Sequence, residues 1–184
     1  LKNTFDNMNQ LNLFIENKLS YPSKIISNNP IEDFKISTIQ NGSNDITISL
    51  VFDKDEKPDI IILTYGGMSN ICLEVARDLF IEEEIIVEVI IPSRIKPFSI
   101  DKIKNSVISC GQLVIVEEGI PICGWGAMVL SSINDELFKC FKAKPLIIGS
   151  KEYPIASSRI LEDRILPQKH DIKEGILKRL NENE

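Results

Sequence analysis

From Asp59 onward, short runs of β-branched and aliphatic residues alternate with segments whose apolar positions recur at helical spacing. The first run, DIIILTYGG, is apolar on both faces and ends in glycines, the pattern of a strand in the middle of a parallel sheet covered on each side. SNICLEVARDLFIEEE follows with Ile71, Val75 and Leu79 on one helical face and charges opposite. IIVEVII predicts a second strand, stopped by Pro92, and SIDKIKNSVISCG predicts a helix with Ser99 as N-cap and Ile103 and Val107 on one face. QLVIVEEG, WGAMVLSSINDELFKC and KPLIIGS continue as strand, helix and strand. KHDIKEGILKRL closes the pattern as a helix with Lys and Arg near its negative dipole end. Parallel strands joined through helices cross over right-handedly, which places helices on both faces of the sheet and predicts a three-layer α/β/α sandwich.

The N-terminal third differs. LNLFIENKLSYPSKIISNNPIEDF has one short apolar run, two prolines and the turn cluster SNNP, and reads as a lead-in. FKISTIQ and ITISLVF alternate as two strands around NGSND, with Asn41-Gly42 as the turn signal, and DKDEKP ends the stretch at Pro58. The expected organisation is a lead-in over 1–58 with a short strand pair, then one domain over 59–184.

A chain of 184 residues suits one ordinary domain. With 43% apolar and 26% charged residues it has the composition of a folded, soluble protein rather than a disordered or repetitive one. Net charge is −6 and the basic residues are scattered among acids, so no strip exists to displace counterions from a phosphate backbone; neither nucleic acid nor an anionic membrane is an expected partner. No apolar stretch is long enough to span a bilayer, and LKNTFDNMNQ lacks the basic and apolar regions of a secretory signal. A cytoplasmic location is expected, and the initial Leu suggests an excised or processed piece. Cys72, Cys110, Cys123 and Cys140 show no CxxC spacing and read as four buried small hydrophobes of a reducing compartment. His170, the single histidine, reads as a surface or helix-start residue beside Asp171, and no zinc site is expected.

Three motifs hold potential chemistry. Gly66-Gly67 sits between a strand and a helix, where nucleotide-binding folds carry a phosphate turn, but GxGxxG, GxxxxGK[ST] and a ribose-binding acid are all missing. Tight-turn geometry accounts for the pair. In EEGIPICGWGAM, Glu117 and Glu118 end a buried strand and Gly124-Trp125-Gly126 begins a helix; the carboxylates could serve acid–base chemistry, cap a helix N-terminus or meet a neighbouring chain. With no nucleophile, base and orienting group together, a structural or interface role is expected. Ser157, Ser158 and Arg159 lie in the last long loop with no GxSxG elbow, so hydrolase chemistry has no foothold there.

Taken in order, TYGGM…EVA, VEVI before a Pro-containing turn, LVIVEEG…GWGA and PIASSRILEDRILP resemble the C-terminal domain of transketolase-like, thiamine-diphosphate-dependent enzymes, in particular the beta subunit of the 2-oxo acid dehydrogenase decarboxylase component. The likeness covers about Asp59 to Leu180, and FIENKLSYP resembles the end of that family's pyrimidine-binding domain. It implies a mostly parallel five-stranded sheet between helices, and an enzyme that decarboxylates a 2-oxo acid on thiamine diphosphate with Mg and passes the acyl group to a lipoyl arm. By position, Gly66 and Gly67 match the family's first turn and Glu117, Glu118 and Gly119 its third strand end. Gly124 and Gly126 match the helix start, and Pro154, Leu161, Glu162 and Pro167 the final loop. The family's activating Glu and its GDG…N motif belong to other domains, so the resemblance implies no catalytic, cofactor-binding or metal residue here. A chain of this kind alone is expected to be inactive and to bind no cofactor.

What the resemblance does imply is assembly. The partners would be the preceding pyrimidine-binding domain, an alpha subunit or half, a homologous subunit and the acyltransferase core. Trp is enriched at interface hot spots and flanking glycines allow close approach, so Glu118, Gly124, Trp125 and Gly126 are the candidate interface. The rivals are a transketolase or deoxyxylulose-phosphate synthase domain and a free-standing ligand-binding module. The charged VFDKDEKP stretch departs from the family's compact spacing and leaves the substrate open.

Overall fold

The computed structural model describes residues 11–16, 34–40, 46–52 and 56–181. Among these are six strands: β1 (Lys35–Gln40), β2 (Ile46–Val51), β3 (Ile60–Thr64), β4 (Val87–Pro92), β5 (Leu113–Val116) and β6 (Leu146–Ile148). Six helices accompany them: α1 (Met68–Glu83), α2 (Asp101–Cys110), α3 (Trp125–Ser131), α4 (Asp135–Phe138), α5 (Arg159–Glu162) and α6 (Lys169–Asn181). The strand order is β1-β2-β4-β3-β5-β6. β3 pairs in parallel with β4 and β5, and β5 in parallel with β6.

The apolar runs account for this arrangement. All five residues of β3 and all four of β5 are buried, because each strand is covered on both faces. Alternate side chains feed two cores. Ile60, Ile62, Val87, Val89, Val114 and Val116 pack under α1 and α6, while Ile61, Leu63, Ile90 and Ile115 pack under α2, α3 and α4. The chain is therefore a three-layer α/β/α sandwich.

The sheet has six strands where five were expected. The strand pair predicted in the lead-in is present, and it extends the sheet: β2 pairs antiparallel with β4, and β1 antiparallel with β2. Leu50 of β2 and Phe34 are buried in the α1–α6 core, so burial of this apolar face attaches the pair to the sheet. The Asn41-Gly42 turn lies outside the described residues, as do the SNNP cluster and the latter part of FIENKLSYP; residues 11–16 are exposed and without regular structure.

Local details also differ from expectation. The predicted third helix is two helices, since Asn134 accepts a hydrogen bond from the Leu137 amide at 2.9 Å and starts α4 afresh. Helix α2 begins after Ile100, which makes no side-chain cap; Ser99 sits one residue early, its hydroxyl donating to Asp101 Oδ2 at 3.1 Å and accepting the Asp101 amide at 3.4 Å. Cys72 and Cys110 are buried, but Cys123 is exposed and Cys140 half-buried, because both lie in connections outside the regular core elements.

Candidate functional site at the C-terminal edge of the sheet

Strand order reverses at β3, which is followed by β4 on one side and flanked by β5 on the other. In open α/β sheets that reversal opens a crevice beyond the strand ends, the usual place for a ligand. Thr64 and Val116 are in register at this edge. The chain leaves β3 as Tyr65-Gly66-Gly67 and leaves β5 as Glu117 through Gly124.

The crevice is occupied by the chain itself. Glu117 is buried at 1% exposure, and its Oε2 accepts the Trp125 amide at 2.8 Å while Oε1 accepts the Gly126 amide at 3.0 Å. A carboxylate thus takes the start of α3, where unpaired amides and the helix dipole favour an anion. The glycines suit this contact and the close packing around it. A Cβ on Gly124 would overlap the Ile120 carbonyl and come within 2.6 Å of Glu117 Oε1, and one on Gly126 would meet the same oxygen at 3.0 Å.

Trp125 faces inward. Its indole is 8% exposed and meets Tyr65 and Phe98 edge-on at 4.8 and 5.4 Å between centroids. Its Nε1–H donates to the Ile95 carbonyl at 3.1 Å. Beneath Phe98, the fully buried Lys102 lies with Nζ 5.5 Å from the ring centroid and 3.5 Å from the Arg94 carbonyl. Burial, with the charges of Glu117 and Glu118 adding, raises the Tyr65 hydroxyl above its ordinary range.

Of the four residues proposed from sequence for an interface, Trp125 and Gly126 are buried within this domain, Gly124 is half-buried, and Glu118 faces solvent. The paired carboxylates part because successive residues leaving a strand point to opposite faces. Tyr65, Phe98 and Lys102, which complete the cluster, carry no motif signal; the placement of Tyr65 directly after the apolar run of β3 is the one clue the sequence holds. Gly66 has φ of +61° and open space where a Cβ would be, so turn geometry alone accounts for it. His170 lies at the start of α6 with its side chain 76% exposed and Nε2 3.3 Å from Asp171 Oδ1.

Chemically, this edge offers one buried carboxylate whose charge is already matched by amides, and one tyrosine. Among the described residues no group of three His, Cys, Asp or Glu side chains is placed to hold a metal, and no helix is long and apolar enough to cross a membrane. The outer surface of the edge is different in character. Ser150 N donates to the Gly119 carbonyl at 2.9 Å, joining the loop after β5 to the segment after β6, and Lys151 N donates to the Ile165 carbonyl at 3.0 Å, closing that segment across α5. Ile122, Tyr153 and Ile155 of these segments and Ile160 and Leu161 of α5 are exposed.

Comparison with known proteins agrees with this architecture. The family described as "Transketolase, C-terminal domain" matches residues 51–172. A pyruvate dehydrogenase E1 component subunit beta from Rickettsia bellii is 28% identical over 169 residues, covering 90% of this chain and 47% of that protein. The corresponding subunit from Porphyra purpurea is 30% identical over 161 residues, covering 84% of this chain and 48% of that protein. The chain thus spans about half the length of these relatives. Among solved structures, a split-gene transketolase in an inactive beta4 tetramer shares the fold with a TM-score of 0.58 at 22% identity, over 74% of this chain and 43% of that one. A three-layer sheet of this topology and a family match across both of its cores lead to one conclusion: the chain belongs to the transketolase C-terminal domain family and is similar to pyruvate dehydrogenase E1 beta subunits.

Proposed function

We propose that this chain is the non-catalytic C-terminal assembly domain of a cytoplasmic, thiamine-diphosphate-dependent 2-oxo acid dehydrogenase. The observation that carries this reading is the contrast at the sheet's C-terminal edge. The polar groups of the crevice are used internally by Glu117, Trp125 and Gly126, while the segments outside it, α5 included, expose Ile122, Tyr153, Ile155, Ile160 and Leu161. A surface that displays this many large apolar side chains on two joined segments suits burial against protein.

The described residues do not fit the cofactor. A diphosphate at the start of α3 would meet the Glu117 carboxylate, and among the described residues no group of three His, Cys, Asp or Glu side chains is placed to hold a metal. The same repulsion disfavours a nucleotide-binding module. In the proposed enzyme, thiamine diphosphate and Mg would be held by other domains and would supply the decarboxylation chemistry there, with the acyl group passing to a lipoyl arm. This domain would hold the preceding pyrimidine-binding domain, the alpha subunit or half and a homologous subunit in register, and contribute to the surface that meets the acyltransferase core.

The test is assembly of the complete enzyme carrying Ile122→Asp or Ile160→Asp. Sedimentation should show dissociated subunits and activity should fall, while the 184-residue chain with the same change keeps its circular dichroism and melting temperature. Unchanged sedimentation of both variants would overturn the reading.

A further inference from the structure

Three charged side chains are buried among the described residues: Glu88, Lys102 and Glu117. Glu117 is matched by two helix amides, and Lys102 by a ring face and a carbonyl. Glu88 has neither kind of partner. In β4, Val87 and Val89 take the α1–α6 side, so Glu88 must face the opposite layer, where α2 and the β1–β2 pair meet. There its Oε1 accepts hydrogen bonds from the Ser49 hydroxyl at 2.6 Å and the Ser106 hydroxyl at 3.0 Å. Both partners are neutral dipoles, and a buried carboxylate ordinarily requires a cation or strong donors.

A groove of about 310 Å³ opens beside it, walled by Ser37, Ser49, Glu56, Asn105 and Ser106. Among the described residues no Lys or Arg lines this groove and no ion pair reaches Glu88. The lining therefore combines buried negative charge with hydroxyl and amide oxygens that still have acceptor capacity. It also restricts what can bind. A transition-metal site is disfavoured because no group of three His, Cys, Asp or Glu side chains forms among the described residues. A quaternary ammonium is disfavoured because recognition of that group calls for an aromatic cage, and among the described residues no aromatic side chain lines the groove.

We propose that this groove binds a primary ammonium group, with Glu88 as its counter-charge and the serine hydroxyl oxygens accepting hydrogen bonds from its remaining N–H groups. The volume holds on the order of ten waters, enough for an alkyl chain of a few carbons behind the charge. The same chemistry is offered by a free small amine and by a lysine side chain of a partner protein. The inference does not rest on the dehydrogenase reading, because the groove lies on the sheet away from the C-terminal edge.

The experiment is an NMR titration of the isotopically labelled 184-residue chain at constant ionic strength. Its probes are n-butylammonium, Nα-acetyl-lysine methylamide and tetramethylammonium. Saturable shifts of the Ser49 and Ser106 amides with n-butylammonium alone assign the site to free amines, and shifts with the lysine amide assign it to a partner's lysine. Glu88→Gln should weaken binding by about tenfold or more, as expected for loss of a charged acceptor. Should that variant fail to fold, Ser109→Lys serves instead. Ser109 is an exposed residue of the same groove, and a lysine there supplies an internal ammonium that should abolish probe binding and raise the melting temperature. Equal response to tetramethylammonium, unchanged binding in either variant, or no saturable shift with any probe would overturn the proposal.

Discussion

The Glu117 carboxylate and the Trp125 amide, 2.8 Å apart, close the sheet's C-terminal edge. The bond ties the end of β5 to the start of α3 and fixes the backbone from which the Trp125 indole enters the core. The same carboxylate, with the Ile120 carbonyl, leaves no room for a side chain at Gly124, and with Ile147 and Ile115 it crowds the position of a side chain at Gly126.

Replacing Glu117 with Ala leaves two amides at a buried helix start without an acceptor, and should cost about 2–4 kcal/mol. Glu117→Gln keeps one acceptor oxygen and should cost about half as much. Urea melts of the two variants give the comparison; a loss under ~1 kcal/mol for the alanine variant would show that water replaces the carboxylate at no penalty.

Ile61 and Ile115 are both fully buried on the α2–α3 face of the sheet. Truncation of either to Ala removes apolar contact and leaves a cavity, for an expected ~2–5 kcal/mol. Both changes should lower the urea midpoint without altering the slope, since the native sheet stays closed.

Trp125→Ala removes two edge-on ring contacts and the Nε1–H bond to Ile95, and should cost about 3–5 kcal/mol in the chain by itself. Intrinsic fluorescence of the native chain should be that of a buried indole and should shift red in Glu117→Ala. A solvent-exposed emission maximum in the native protein would contradict the packing.

Alkaline pH should destabilise the fold. Burial pushes the Cys72 thiol from 9.0 up to about 12, and raises Cys110 and Tyr65 as well. A group whose folded pKa is raised contributes its full stabilisation below the unfolded value and loses it as pH climbs to the folded one. Stability should therefore hold to about pH 9 and decline from there toward about 12. Thiol labelling gives an independent check: exposed Cys123 should react in the native chain, and Cys72 and Cys110 after unfolding.

Of the strands after Asp59, β3 and β5 were the most legible, because both are buried on both faces and continuous apolar runs such as IIILT and LVIV suit that environment. The flanking helices were legible for a related reason, since Val75 and Leu79, or Ile103 and Val107, mark the single face each helix buries. The strand pair ahead of Asp59 was legible as local alternation, but its attachment was not. Ile48 and Leu50 need an apolar layer, and nothing local specifies that the layer is the edge of β4. The direction of Trp125 likewise depends on Tyr65 and Phe98, which come from separate loops, so a glycine-framed tryptophan reads equally as core or interface until those rings are placed. Adjacent glutamates 117 and 118 have nearly the same sequence context and opposite fates. Two amides presented by a distant helix start make burial of the first favourable, and the second turns to water. The Glu88 groove lies wholly on the tertiary side of this division: β2, β4 and α2 each contribute one partner, and only their packing brings the two hydroxyls to the carboxylate.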